Sequence, residues 1–271
     1  MKTIRLKSKF KVNYQLDLRN LSKIENTYNL KTIQNIKILL NNREKKLHEF
    51  FYIYINENKS SEFELILEGL NSNCNFVGWK WKNGVLRVKS NIGIFLGGKM
   101  LNGKIIVYGS VENNCGSGMY NGTIIIKSNA KNFVCSNLPG ERSGMSGGVV
   151  IIRGNVGDYL GFRMKKGMIF VNGITGKFCG NNMIAGTIIA KKGVGDYVGI
   201  GMKRGTIITN TNLPLTFGFV ESGGETVNYL HLLNKFFEKK FDIKIFNKIS
   251  HIKKYMGDSK ENGLGEIFLV N

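Results

Sequence analysis

The chain has 271 residues, enough for one large domain or a domain with attachments, and 42% of them are hydrophobic, enough to fill a core. Its 34 glycines against two prolines fit a chain of many sharp corners and exclude neither a core nor order. A formal net charge of +20 predicts an anionic partner, and no apolar run approaches 18 residues, which excludes a membrane-spanning helix.

Residues 1–60 precede any regular pattern. Thr3-Ile4-Arg5-Leu6 and Tyr14 to Leu18 alternate as strands do, 29–41 reads as a short helix or a strand, and Phe50 to Ile55 is a strand by residue type. This segment is expected to cap one end of the repeat region, because an open terminal edge attracts other chains. Phe63 to Glu68 reads as a degenerate first unit with Gly69 as its corner.

From about Cys74 to Asn210 the chain repeats Gly-x3-Gly-x2-Met-x2-Gly followed by three or four aliphatic residues. The last glycine of each unit falls at Gly84, Gly103, Gly122, Gly148, Gly167, Gly186 and Gly205, at intervals of 19 residues except one of 26. Three residues earlier stand Trp81 and then Met100, Met119, Met145, Met164, Met183 and Met202. Six residues earlier stand Gly78, Gly97, Gly116, Gly161, Gly180 and Gly199, with Arg142 breaking the column. A unit with one short strand and two or three glycine corners cannot bury its own apolar side, whereas stacked units can. Helical solenoids need longer units. The fold predicted is all-β: a right-handed parallel β-helix of about seven or eight coils over 61–210, capped by 1–60 and by 211–271.

The one long interval contains Leu138-Pro139-Gly140-Glu141-Arg142-Ser143. An insertion that leaves the period intact on both sides must loop out, and loops on solenoids meet partners. Pro139, Glu141 and Arg142 are the residues expected to do so. After Asn210 the pattern stops. Leu213 to Phe217 leaves the stack, Glu225 to Lys240 has the spacing of an amphipathic helix, and Glu266 to Val270 reads as a final strand.

No catalytic set is legible. None of the histidines His48, His231 and His251 lies within a repeat unit, and Asp158 and Asp196 read as solvated corners two coils apart. Cys74, Cys115, Cys135 and Cys179 show no CxxC and read as small apolar core residues, not metal ligands. With no signal peptide, a reducing cytoplasm is the expected compartment. The glycines form neither a P-loop nor a dinucleotide fingerprint. Nucleic acid is a poor partner, since neither stacking aromatics on the strands nor a nucleic-acid module is evident.

Charge is the more informative signal. Residues 61–210 hold 18 Lys or Arg against 7 Asp or Glu. Lys165-Lys166 and Lys203-Arg204 occupy the same two positions of units two coils apart, and Lys89, Lys127, Arg153 and Lys191 form a second periodic column. Such columns are either solvated faces or a track for an extended polyanion.

The repeat units resemble the glycine-rich β-helix domain shared by the glutamate synthase large subunit and by the C subunit of formylmethanofuran dehydrogenase. The segments 138–148, 183–188 and 201–206, with Lys254-Tyr255-Met256-Gly257-Asp258 and Gly265-Glu266-Ile267, are similar to the C-subunit family of the formyltransferase/hydrolase complex of methylotrophic bacteria. The resemblance implies a non-catalytic scaffold subunit in formaldehyde oxidation, with partner subunits of the A, B and D types. It implies a pathway of one-carbon units on tetrahydromethanopterin and a methanofuran-type carrier, with the chemistry on an amidohydrolase-like A subunit and a formyltransferase D subunit. Such carriers bear glutamate chains, and Lys165, Lys166, Lys203 and Arg204 are then candidates to hold one. The alternative reading is the C subunit of a molybdenum or tungsten formylmethanofuran dehydrogenase. A glutamate synthase needs amidotransferase and flavin regions that 271 residues cannot hold.

Overall fold

The computed structural model describes residues 2–27, 29–57, 63–210, 218–223, 227–246 and 252–270. The expected departure at Leu213 to Phe217, the Glu225 start of the helix and His251 lie outside them.

In chain order the elements are β1 (Lys2–Ser8), β2 (Leu16–Asp17), a 3-10 helix (Arg19–Asn26), α1 (Leu30–Gln34), β3 (Lys37–Leu40), β4 (Arg43–Lys46), α2 (Leu47–Phe50), β5 (Phe51–Glu57) and β6 (Glu64–Glu68). The repeat supplies β7 (Cys74–Asn75), β8 (Val85–Val88), β9 (Lys104–Val107), β10 (Thr123–Ile126), β11 (Ser146–Ile152), β12 (Lys166–Val171), β13 (Thr187–Ala190) and β14 (Arg204–Thr209). The C-terminal region adds β15 (Val220–Glu221), α3 (Val227–Phe241), β16 (Ile252–Gly257), a short 3-10 turn (Ser259–Glu261) and β17 (Leu264–Val270). The stretch 29–41 therefore holds both a helix and a strand.

Thirteen strands form one sheet in the order β15-β16-β17-β14-β13-β12-β11-β10-β9-β8-β6-β1-β5. From β17 to β1 every neighbouring pair is parallel. Register follows the period: Ile105 pairs with Ile124, Ile124 with Val150, Ile169 with Ile188, and Ile188 with Ile207. A second parallel ladder of single bridges joins Ile92, Val111, Ala130, Val156 and Thr175 in turn. Corner backbone bonds run between units too, as from Gly97 N to Val77 O and from Gly180 N to Leu160 O, both 2.8 Å. Each 19-residue unit is thus bonded to the next along its length, which satisfies backbone groups that isolated corners would leave bare.

The sheet extends beyond the repeat at both ends. The sequence pattern stops at Asn210, yet β17 continues the parallel ladder on β14, with Ile207 opposite Ile267 and Ile208 opposite Phe268. At the other end β1 pairs in parallel with β6. Beyond these, antiparallel β5 and antiparallel β16 with β15 close the two ends. A smaller sheet, β4-β3-β2-β7, ties the N-terminal segment to the first repeat unit.

Alternate residues of the aliphatic runs face two cores. Leu86, Ile105, Ile124, Val150, Ile169, Ile188, Ile207 and Ile267 face the inner one, joined by Trp81 and the six repeat methionines, all fully buried. Methionine suits this irregular interior because it is apolar and flexible. The opposite face of the same strands, with Ile151, Phe170, Ile189, Ile208 and Phe268, is buried under α3 through Leu230, Leu233 and Phe237. The amphipathic spacing legible in the sequence is therefore the sheet-facing side of α3.

The long interval has a structural explanation. Counting back from Gly148 puts Arg142 at the glycine corner, but the structure puts Cys135 there: its N–H bonds Cys115 O, and Gly161 N–H bonds Val134 O. Cys135 takes the left-handed φ of +60° that Gly116 and Gly161 take at +66° and +68°. The column survives with cysteine in place of glycine, and the extra residues come after it.

Candidate functional site

In every unit but the one that ends at Gly148, the backbone is left-handed at the residues eight, six and four before the last glycine and at that glycine itself; in that unit the insertion puts the first two turns at Phe133 and Cys135, fifteen and thirteen residues before Gly148. At the first of these, where glycine would be the usual choice, stand Phe76, Phe95, Asn114, Phe133, Tyr159, Phe178 and Tyr197, with φ between 57° and 64°. Left-handed backbone costs a side-chain-bearing residue about 1–2 kcal/mol. Ring stacking offsets it: Phe133, Tyr159, Phe178 and Tyr197 lie face to face at 4.9, 4.8 and 4.9 Å, and Phe76 on Phe95 at 5.0 Å. The spacing is that of neighbouring strands, about 4.8 Å. The sequence shows no stacking aromatics on its strands, and this ladder, on the corners, escapes a strand-by-strand reading. Its signal is nonetheless present: an aromatic residue stands two before the corner glycine in five units and two before Cys135 in a sixth, with Asn114 the exception.

The four cations proposed for an anion track are where the period puts them. Lys166 at the start of β12 and Arg204 at the start of β14 are two strands apart in register, with Ala185 on the unit between. All four are exposed. Lys203 Nζ reaches Glu261 at 3.7 Å, while among the described residues Lys165, Lys166 and Arg204 make no ion pair. The apolar pair Ile184-Ala185 interrupts the charge, so the column is two clusters and not a continuous stripe.

The second periodic column divides. At its ends Lys89 is bound to Glu68 at 2.8 Å, and Lys191 Nζ donates to Lys244 O at 3.2 Å. Its middle members, Lys127 and Arg153, instead line a cavity of about 410 Å³ where α3 ends over the outer face of β9, β10 and β11. Lys104, Lys239 and Lys240 line it as well, with Glu238 and Asp242, and Ile125, Ile151, Phe241 and Ile243 add apolar surface. The carbonyl dipole at a helix C-terminus draws lysines to this place. Bonds from Asp242 N to Glu238 O and from Ile243 N to Phe237 O engage two of the last carbonyls.

The insertion loop is anchored at one side and open at the other. Glu141 Oε1 meets Lys99 Nζ at 2.7 Å, Asn137 Nδ2 donates to Glu141 O at 2.9 Å, and Leu138 is buried. Pro139 and Arg142 are exposed. Of the three residues singled out for partner contact, Glu141 thus holds the loop in place, and Pro139 and Arg142 lie on its open side.

Reactive side chains are scattered. Burial pushes the thiols of Cys115 and Cys179 up to about 12 and that of Cys74 up to about 11, so these sulfurs stay protonated and are poor nucleophiles or ligands. Asp158 accepts the Lys177 N–H at 2.7 Å, and Asp196 pairs with Lys177 Nζ at 3.4 Å, which places a lysine between the two carboxylates. Among the described residues no three of His, Cys, Asp and Glu converge as a metal site, and no helix is long and apolar enough to cross a membrane.

One carboxylate is displaced in its titration. Glu25, at the end of the first 3-10 helix, accepts from Lys82 N at 3.0 Å and ties the N-terminal segment to the first unit. Burial raises its pKa from 4.5 to about 7, against the lowering effect of these backbone bonds. Between pH 4.5 and 7 the folded chain holds a proton that the unfolded chain has lost, so stability falls as pH rises through that window. Urea midpoints at pH 5 and pH 8 should differ more in the parent chain than in Glu25→Gln; an equal difference would remove Glu25 as the cause.

No family profile matches the chain, and no curated protein matches its sequence. A solved structure does: a chain of the X-ray crystal structure of the formyltransferase/hydrolase complex (FhcABCD) from Methylorubrum extorquens in complex with methylofuran. Identity is 28%, the TM-score is 0.89, and the match covers 98% of this chain and 99% of that one. This chain is built like a chain of a formyltransferase/hydrolase complex. The likeness spans the N-terminal segment, the repeat and the C-terminal extension together, so it is not a likeness of the repeat alone.

Proposed function

We propose that this chain is a C-type subunit of a formyltransferase/hydrolase complex, a right-handed parallel β-helix that holds partner subunits and does no chemistry itself. The observation that carries the reading is the end-to-end match to a chain of such a complex at 28% identity. The scattered reactive side chains support the scaffold role, because acid–base or nucleophilic catalysis needs groups within hydrogen-bond reach of one another. On this reading the partners are subunits of the A, B and D types, the compartment is the cytoplasm, and one-carbon units travel on tetrahydromethanopterin and a methanofuran-type carrier. The neighbouring complex was crystallised with methylofuran. The C subunit of a formylmethanofuran dehydrogenase is the second reading, favoured only by the glycine-rich repeat that the two families share. Pro139 and Arg142 on the open side of the insertion loop are proposed partner contacts.

The carrier's glutamate chain is proposed to lie along Lys165, Lys166, Lys203 and Arg204. Charge reversal at all four should weaken binding of the carrier by the assembled complex at least tenfold at low salt, with a smaller loss at high salt because exposed charges are screened. Unchanged affinity would remove these residues from the carrier's path.

A further inference from the structure

We propose that the cavity at the C-terminal end of α3 is a binding site for a compact polyanion carrying about three negative charges, separate from the Lys165–Arg204 clusters and independent of the proposed function. Five cations, Lys104, Lys127, Arg153, Lys239 and Lys240, line a cavity of about 410 Å³ and face only two carboxylates there, Glu238 and Asp242. Elsewhere on this chain cations do find carboxylates: Arg87 pairs with Glu64, Lys89 with Glu68, Lys99 with Glu141 and Lys254 with Glu266. Among the described residues none of the five in the cavity makes an ion pair, nor do Glu238 and Asp242.

The five come from four separate elements or their ends. Lys104 opens β9, Lys127 and Arg153 come directly after β10 and β11, and Lys239 and Lys240 end α3. Their convergence is therefore a product of the fold and not of a basic run in the sequence. Like charges gathered in a concave site repel one another and raise the local concentration of anions. The cavity also has an apolar floor, Ile125 and Ile151, which lowers the dielectric beneath the charges and strengthens a bound anion's attraction. Lys240 is steadied at the rim by the rings of Phe236 and Phe241, at 5.5 and 5.6 Å from their centroids.

The excess of three positive charges sets the ligand's charge, and the volume sets its size. An oligophosphate and a tricarboxylate both fit these terms, because each offers several oxyanion acceptors to lysine and arginine donors. Calorimetric titration of the full chain with inorganic tripolyphosphate and, separately, with propane-1,2,3-tricarboxylate distinguishes the two sources. At least one should bind, and Lys127→Gln with Arg153→Gln and Lys240→Gln should weaken it tenfold or more. Lys165→Gln with Lys166→Gln should leave it unchanged. Should the triple variant melt early, Glu238→Gln with Asp242→Asn supplies the opposite arm: removing the competing carboxylates should tighten binding threefold or more. Affinity that is indifferent to both sets of substitutions, or no greater than that of acetate at equal charge concentration, would overturn the site. Loss of binding in the Lys165/Lys166 variant alone would instead assign the anion to the other cluster.

Discussion

Gly148→Ala is expected to cost the folded chain about 2–5 kcal/mol, the sum of a backbone cost of about 1–2 and an overpacking cost of about 1–3 kcal/mol. Gly148 has φ of +87°, in the left-handed region where an alanine is strained. Its new Cβ would stand 2.6 Å from Gly122 O and 2.7 Å from the Met119 methyl. The methyl can turn away, but the carbonyl belongs to the neighbouring unit's backbone and is held by the Val149 N–H at 2.9 Å. Gly140→Ala is the matched control, because Gly140 also has positive φ, +81°, but open space around it. It should cost only the backbone part, about 1–2 kcal/mol. Urea unfolding of the two variants separates space from conformation, and equal losses would show that close stacking of units is not what requires glycine.

The second large effect lies outside the repeat. Phe237→Ala should cost about 3–5 kcal/mol, because it empties the centre of the outer core. Phe237 is fully buried, its ring 5.7 Å from that of Phe170 on β12, in the cluster that covers Ile189 and Ile208. Without it α3 loses its grip on the sheet, and the amides of 227–241 should exchange with solvent sooner than those of β12 and β13. Leu232→Ala, on the exposed side of the same helix, should shift stability by no more than about 0.5 kcal/mol. Full protection of α3 in Phe237→Ala would mean that other contacts hold the helix.

The repeat is the most legible part of this sequence. Its glycine and methionine columns predict one strand per 19 residues, and β8 to β14 lie where the last glycines say they should. That legibility has a physical source: each unit meets the same neighbour in the same way, so each position faces the same constraint. Where the constraint is different, the sequence misleads. Counting glycines assigns the broken corner to Arg142, whereas Cys135 takes the left-handed turn, because the backbone ladder tracks register along the stack and not distance from the next glycine. β17 reads as a separate final strand, although it is the next rung on β14. The run Glu266 to Val270 follows Gly265, which pairs with Gly205, but Asn262 and Ser259 stand where the repeat has methionine and the second glycine, so only one element of the pattern marks its place.

The charged sites show the same division. The period places Lys166 and Arg204 correctly in register, as it does Lys127 and Arg153. It cannot show that Lys104, Lys239 and Lys240 join the latter pair, since α3 reaches β10 and β11 only through tertiary packing. The aromatic corners are readable in principle, being two residues before most corner glycines, but aromatics are expected on strand faces and left-handed turns are expected to hold glycine.

The proposal that this chain works as a non-catalytic member of a larger assembly has a direct test. The tagged full chain is recovered from its own cells, the polypeptides that remain bound after gel filtration are identified, and both the assembly and the isolated chain are assayed for formate release from a formylated carrier. The account predicts stoichiometric recovery of amidohydrolase-type and formyltransferase-type polypeptides, formate release by the assembly only, and weaker recovery when 138–143 is shortened. A chain that elutes alone and releases formate by itself would contradict it.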